Sequence, residues 1–251
     1  MNDQPVSLND ILDFLGDEFA IDRYPESEQE GVYRGSHGSG CPIRRLGLAL
    51  EPFPELRTWV ADNQFDALWL HRPWRLDPVA LPPDLGVIYN HLPFDEHLTM
   101  GYTTRLAVQL EAVGLLEPLG FKQATRKTGE LLPKRPIGML FDTGPQDAPR
   151  WIYRMEALFG GYDRFETGRQ TTVGRVAVVG AMNDALIWEA TDRGAGLYLT
   201  GQYRPSAQEA VDETGIAIIA VGHRRSEEWG LRALADLLRA RWPTLVVINK
   251  P

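Results

Sequence analysis

Residues 215–242 read GIAIIAVGHRRSEEWGLRALADLLRARW, and the fold is decided there. Residues 216–221 form a continuous apolar run of strand length, the kind buried on both faces of a sheet. Gly222 breaks the run, and Ser226 is a natural N-cap for the helix that follows. Trp229, Ala233, Leu234, Leu237, Leu238 and Trp242 are spaced as the buried stripe of that helix. His223 and Glu227 fall between strand and helix. Open α/β sheets place ligands at the C-terminal ends of their strands. A helix N-terminus also favours the ionised form of Glu227, the form a metal needs. The plain alternative is a turn histidine beside ordinary first-turn acids, since Glu228 adjoins Glu227. Company elsewhere in the chain decides between the two.

The same pattern recurs upstream. Residues 7–19 read as an amphipathic helix capped by Ser7, with Leu8, Ile11, Leu12, Leu15 and Phe19 facing inward. Strands are expected at 43–50, 65–70 and 85–90, with a helix at 54–63 and another at 99–113. The second strand ends in His71-Arg72-Pro73-Trp74, and the third in His91, with Asp95 and His97 beyond. The polar, basic stretch 120–135 is a candidate boundary. A short strand at 136–141, a helix at 149–159 and an irregular stretch at 160–172 follow. A second alternation then begins, with strands at 175–180 and 196–200, helices at 183–193 and 205–214, the opening stretch, and a last strand at 244–248. Alternating strands and helices mark an α/β fold with a mostly parallel sheet. The chain is expected to form two α/β units, 1–124 and 170–251, joined by a connecting segment 125–169. The second unit is able to complete the same globule.

Composition narrows the function. The chain has 251 residues, enough for a large core, and a formal charge of −8, which argues against general attraction to nucleic acid. One cysteine, Cys41, gives no disulfide framework or thiolate cluster and suits a reducing cytoplasm. The acidic N-terminus has no basic n-region of a signal peptide, and no apolar run is of membrane-spanning length. The Gly/Ser loop at 34–42, with His37 inside it, lacks the Gly-Lys-Ser/Thr ending of a phosphate-cradling loop. The stretch VAVVGAMND offers Gly180 alone, a poor match to a dinucleotide-binding turn. With five histidines, any metal site must lean on carboxylates.

His71 and His91 end strands of the first half, and Gly222-His223 ends one of the second. Asp95 and Glu227 each follow such a histidine by four residues. Borderline divalent ions accept this mixture of imidazole and carboxylate. Trp69 and Trp74 flank the tetrad, where they either stack a planar ring or fill the core.

The tetrad LHRP, the segments NHLPFDEHLTMGYTTRLAVQL and GRVAVVGAMNDALIWEATDRGAGLYLTGQ, and the ending GHRRSE resemble the Nif-three-like dinuclear metal-centre family. Its members are often labelled GTP cyclohydrolase I type 2 homologues. The resemblance runs over nearly the whole chain, in a short form without an inserted domain, and Gly-His-x-x-Ser-Glu is its most specific piece. It implies metal contacts from His71, Asp95, His223 and Glu227, two α/β units with layered mixed sheets and the site between them, and a ring-shaped homo-hexamer.

Four departures bear on the metal. Arg72 stands where the family has a second adjacent histidine, and a guanidinium has no lone pair to give. Leu92-Pro93 replaces Thr-Asn. Gln202 replaces the acid of a Thr-Gly-Asp turn, and Ser206 a histidine four residues later. Either one divalent ion (zinc, manganese, iron or magnesium) is held by a subset of the ligands, or none is and Arg72 pairs with Asp95 or Glu227. At most one ion per chain is expected, with Arg72 replacing the second ion's charge or contacting a substrate phosphate. His97 is either a substitute ligand or an exposed histidine beside a helix. Two functions are open. One is a metal-dependent hydrolase of nucleotide-like or phosphorylated small molecules, with Glu227 or Asp95 as ligand and base and His223 as ligand or proton shuttle. The other is a non-catalytic oligomeric or regulatory protein that has lost one or both metals.

Overall fold

A computed structural model describes residues 6–29, 31–34, 42–77, 79 and 81–250. His37 and Cys41, with most of the Gly/Ser loop, lie outside the described residues. In chain order the elements are α1 (Leu8–Glu18), α2 (Glu26–Gln29), β1 (Gly31–Arg34), β2 (Arg45–Ala49), α3 (Leu56–Asn63), β3 (Ala67–Leu70) and β4 (Gly86–Tyr89). Next come α4 (Leu92–Leu98), α5 (Thr104–Gln109), β5 (Val113–Lys122), β6 (Arg135–Asp147), α6 (Ala148–Phe159) and β7 (Arg164–Glu166). The last are β8 (Thr172–Val179), α7 (Asp184–Asp192), β9 (Leu197–Thr200), α8 (Gln208–Thr214), β10 (Ala217–Ala220), α9 (His223–Arg241) and β11 (Val246–Asn249).

These elements build two mixed sheets, each in its own compact unit. One unit takes Met1–Phe94, Thr125–Leu132 and Leu231–Pro251; the other takes Asp95–Ala124 and Pro133–Gly230. Against the halves 1–124 and 170–251 read from the sequence, the units interleave. At the C-terminal end the cause is β11, which pairs in parallel with β2 rather than joining the second sheet; Thr125–Leu132 is a further piece of the first unit.

The first unit's sheet has the order β1-β4-β3-β2-β11, parallel except for β1, which runs antiparallel to β4. β3 is buried at every position, which is why it reads as an unbroken apolar run. α3 covers one face through Leu56 and Val60, packed with Leu68, Leu70 and Val87. Gly47 permits this approach: a Cβ there would meet Leu68, Phe65 and Trp59 within 2.7 to 2.9 Å. α1 begins in a capping box, Asp10 N–H donating to Ser7 Oγ and Ser7 N–H to the Asp10 carboxylate at 2.8 Å.

The second unit's sheet has the order β5-β6-β8-β9-β10-β7. Only β8-β9 and β9-β10 are parallel; the other pairs are antiparallel, so this sheet is mixed, as the resemblance implies. α7 and α8 pack over Leu140, Ala177 and Ile218. α7 starts at Asn183, whose side chain accepts from Leu186 N–H.

The expected helix at 99–113 is shorter, and a separate helix, α4, precedes it with Pro93 in its first turn, where a proline is tolerated. The candidate boundary at 120–135 lies between β5 and β6, a long antiparallel pair, and the irregular stretch at 160–172 contains β7. No helix among the described residues is long and apolar enough to cross a membrane.

Candidate metal centre

β2, β3 and β4 run parallel in register, with Leu70 opposite Tyr89, so the residues that follow β3 and β4 leave the sheet side by side. His71 follows β3 directly and is completely buried. Its Nδ1 lies 2.9 Å from the backbone oxygen of Asn90. A carbonyl only accepts, so Nδ1 carries the proton and Nε2 is left as the ring's ligand atom. This is how a metal-binding histidine is usually oriented. The Asn90 side chain holds the neighbour as well: Trp69 Nε1 donates to Asn90 Oδ1 at 3.0 Å. The Trp69 ring lies nearly parallel to His71, and Phe94 packs at 4.8 Å from it.

His91 follows β4 by two residues, and its ring centroid is 4.9 Å from that of His71. Asp95 sits one turn further on, in α4. One ligand atom from each of His71, His91 and Asp95 falls within 4.8 Å of the others. Two imidazoles and a carboxylate suit a borderline divalent ion. His91 stands outside the ligand set implied by resemblance, yet the register of β3 and β4 brings it in. Its Nδ1 is 3.9 Å from the Glu28 carboxylate. His97, two residues beyond Asp95, is directed to a different side of α4, as i and i+2 positions on a helix are.

Gly222, with φ of +100°, makes the turn from β10 into α9. A side chain there would also strike Asp163 and Arg225. The helix therefore begins at His223, and Ser226 is not its N-cap: Ser226 lies inside the first turn and its Oγ donates to the His223 carbonyl at 2.7 Å. His223 and Glu227 are thus an i, i+4 pair on one helix face, His223 Nε2 lying 3.0 Å from Glu227 Oε1. His223 is exposed, whereas the Glu227 side chain is 1% exposed. The turn after β9 packs against this helix start, since a Cβ on Gly201 would lie 3.1 Å from Ser226 Oγ. Gln202 and Ser206 of that segment are exposed.

Arg72 donates to Glu51 at 2.6 Å, an acid that the sequence reading did not name as its partner. Ala49 pairs with Leu70, so Glu51 and Arg72 follow in step from the ends of two adjacent strands. The two tryptophans separate: Trp69 is fully buried, and Trp74 is 53% exposed.

Fold and site together define an α/β protein of two mixed sheets with a His/His/Asp cluster able to hold a divalent ion. Residues 80–250 match the model of a family described as Duf34/NIF3 (NGG1p interacting factor 3), and the chain belongs to that family. The matched stretch includes His91, Asp95, His223 and Glu227; His71 and Arg72 precede it. Among similar proteins is a "GTP cyclohydrolase 1 type 2 homolog" of Neisseria meningitidis serogroup B, 29% identical over 166 residues. That alignment spans 65% of this chain and 61% of the Neisseria protein. A protein of the same name from Deinococcus radiodurans is 24% identical over 92% of this chain and 88% of its own length. Two solved structures share the fold. They are TTHA1606 from Thermus thermophilus, with TM-score 0.70 and 20% identity over 98% of this chain and 99% of that one, and protein ybgI, with TM-score 0.71 and 18% identity over the same shares.

Proposed function

We propose that this chain is a divalent-metal protein of the hydrolase type, acting on nucleotide-like or phosphorylated small molecules. The observation that carries the reading is the orientation of His71: a buried imidazole, fixed in one tautomer by the Asn90 carbonyl, beside His91 and Asp95. These three residues would hold the ion. When bound, such an ion supplies a water of lowered pKa and polarises the bond to be broken. His223 and Glu227 keep the metal contacts that the resemblance implies, and in the hydrolase reading Glu227 or Asp95 is ligand and base and His223 is ligand or proton shuttle. Their 3.0 Å contact supports proton exchange between His223 Nε2 and Glu227 Oε1. Metal identity is open among zinc, manganese, iron and magnesium.

The Arg72–Glu51 pair supports a second reading, in which a cation built into the chain has replaced one metal and the protein is regulatory or structural. Under either reading the ion count is at most one per chain. Elemental analysis of protein purified without a histidine tag tests this; two ions per chain at full occupancy rejects it. Arg72→His is expected to raise the metal content, and an unchanged stoichiometry counts against the role given to Arg72. Turnover of phosphoesters or nucleotides with added metal, abolished by Glu227→Ala, separates the enzyme from the regulatory protein. The same reading takes the chain as a cytoplasmic homo-oligomer, hexameric by resemblance, which light scattering on the purified protein checks.

A further inference from the structure

Beside the tetrad that carries His71, a cavity of about 310 Å³ is lined by Glu51, Pro52, Arg72, Trp74 and Arg75. Its chemistry differs from that of the imidazole–carboxylate cluster. Trp74 is a large aromatic ring held in the open: its plane is nearly perpendicular to Tyr89 at 5.3 Å and to His91 at 6.2 Å, yet more than half of the residue is exposed. Two guanidiniums accompany it. Arg72 is held by Glu51, and Arg75 is exposed and makes no ion pair among the described residues.

We infer that this cavity is a subsite for a planar heterocycle carrying one phosphate, a ligand of nucleoside monophosphate size. The inference borrows its substrate class from the proposed function but needs no metal. Guanidinium forks match phosphate oxygens in geometry and charge. The indole offers a stacking surface, and every base has a π-face to lay on it. Its perpendicular contacts with Tyr89 and His91 already fix the indole, so little further order is lost when a ring binds. Glu51 compensates one arginine and leaves the lining at one net positive charge. It also supplies an acceptor for a sugar hydroxyl or ring amine. The volume lies at the lower bound of small-ligand pockets, roughly 300 to 1,000 Å³. One ring and one phosphate suit that space better than a dinucleotide.

Calorimetric titration of the full chain in EDTA, with AMP, UMP, adenosine and inorganic phosphate as probes, tests the subsite. AMP is expected to bind more tightly than adenosine or phosphate, and more tightly than UMP because a purine offers more stacking area. Trp74→Ala should weaken AMP roughly fivefold to a hundredfold, the range for loss of one stacked base, and leave phosphate binding unchanged. Arg75→Gln should weaken both. Both side chains are exposed, so the variants are expected to fold as the parent does. No AMP binding by the full chain overturns the inference. So does equal binding of AMP and phosphate with Trp74→Ala behaving as the parent, which would reduce the cavity to an anion site. Protein that binds AMP yet holds no metal keeps this subsite and loses the hydrolase reading; protein that holds metal and ignores AMP does the reverse.

Discussion

Replacing Asn90 with alanine removes one side chain and disturbs two others. Trp69 Nε1 donates to Asn90 Oδ1 at 3.0 Å inside a fully buried environment, so in Asn90→Ala the indole N–H loses its acceptor with no water to replace it. Leaving such a donor unsatisfied costs about 1–3 kcal/mol. Trp69→Phe alone orphans the amide oxygen instead and also leaves space where the larger ring stood. In the double variant neither polar group is stranded, so its loss should be smaller than the sum of the single losses. The coupling energy is expected to be about 1 kcal/mol. Urea unfolding of metal-free protein measures all three variants. Metal affinity, read by competition with a chelator, adds a second test, since the Asn90 side chain holds Trp69, whose ring lies nearly parallel to His71, while the backbone carbonyl that His71 contacts stays in Asn90→Ala. Loss of such supporting contacts typically weakens metal binding about 10- to 100-fold. Single variants within about 0.5 kcal/mol of the parent and strictly additive would refute the idea that Asn90 braces the histidine.

Glu96 and Arg135 form a nearly sealed ion pair at 2.7 Å, their side chains 8% and 6% exposed. Arg135→Met should cost about 3–5 kcal/mol by stranding the carboxylate, toward the lower end because Lys122 also lies 3.8 Å away. Glu96→Leu/Arg135→Met should recover most of that loss in a denaturant titration; a double variant as unstable as Arg135→Met refutes the account. Hydrogen bonds from Arg175 and then Arg193 hold the Glu117 carboxyl below its ordinary 4.5. Because the folded value is the depressed one, this contribution is complete above 4.5 and is lost as pH falls through the folded value. Glu117→Gln should therefore be less stable than the parent at neutral pH, with the gap closing on acidification. A gap that does not change with pH counts against it.

Legibility followed how local each signal was. Parallel strands announced themselves as short apolar runs, and Ser7 and Asn183 marked their helices because capping is settled within three residues. β5 was hidden: GLLEPLGFK mixes glycine, proline and charge, half of it is exposed, and it becomes a strand only by pairing with β6. α9 misled in a different way. Ser226 has the chemistry of a cap, but the left-handed turn at Gly222 starts the helix earlier, a backbone event that composition does not display. The site shows the same divide. His71 was readable as a strand-end residue, and Asp95 and Glu227 by their four-residue spacing after His91 and His223. The inclusion of His91 and the pairing of Arg72 with Glu51 depend on which strands are neighbours and in what register. No period in the chain encodes that.

The pairing of β11 with β2 also has a consequence for synthesis. Leu46 and Leu48 of β2 sit fully buried in the finished sheet, with β11 along one side of their strand. That covering strand is encoded roughly 200 residues later, so at ribosomal speeds of about 5–20 residues per second the edge of β2 waits on the order of 10–40 s for its neighbour. A nascent chain in this interval carries an open, apolar strand margin, a template for pairing with other nascent chains. Chaperone demand during translation should fall once the last strand has emerged and docked.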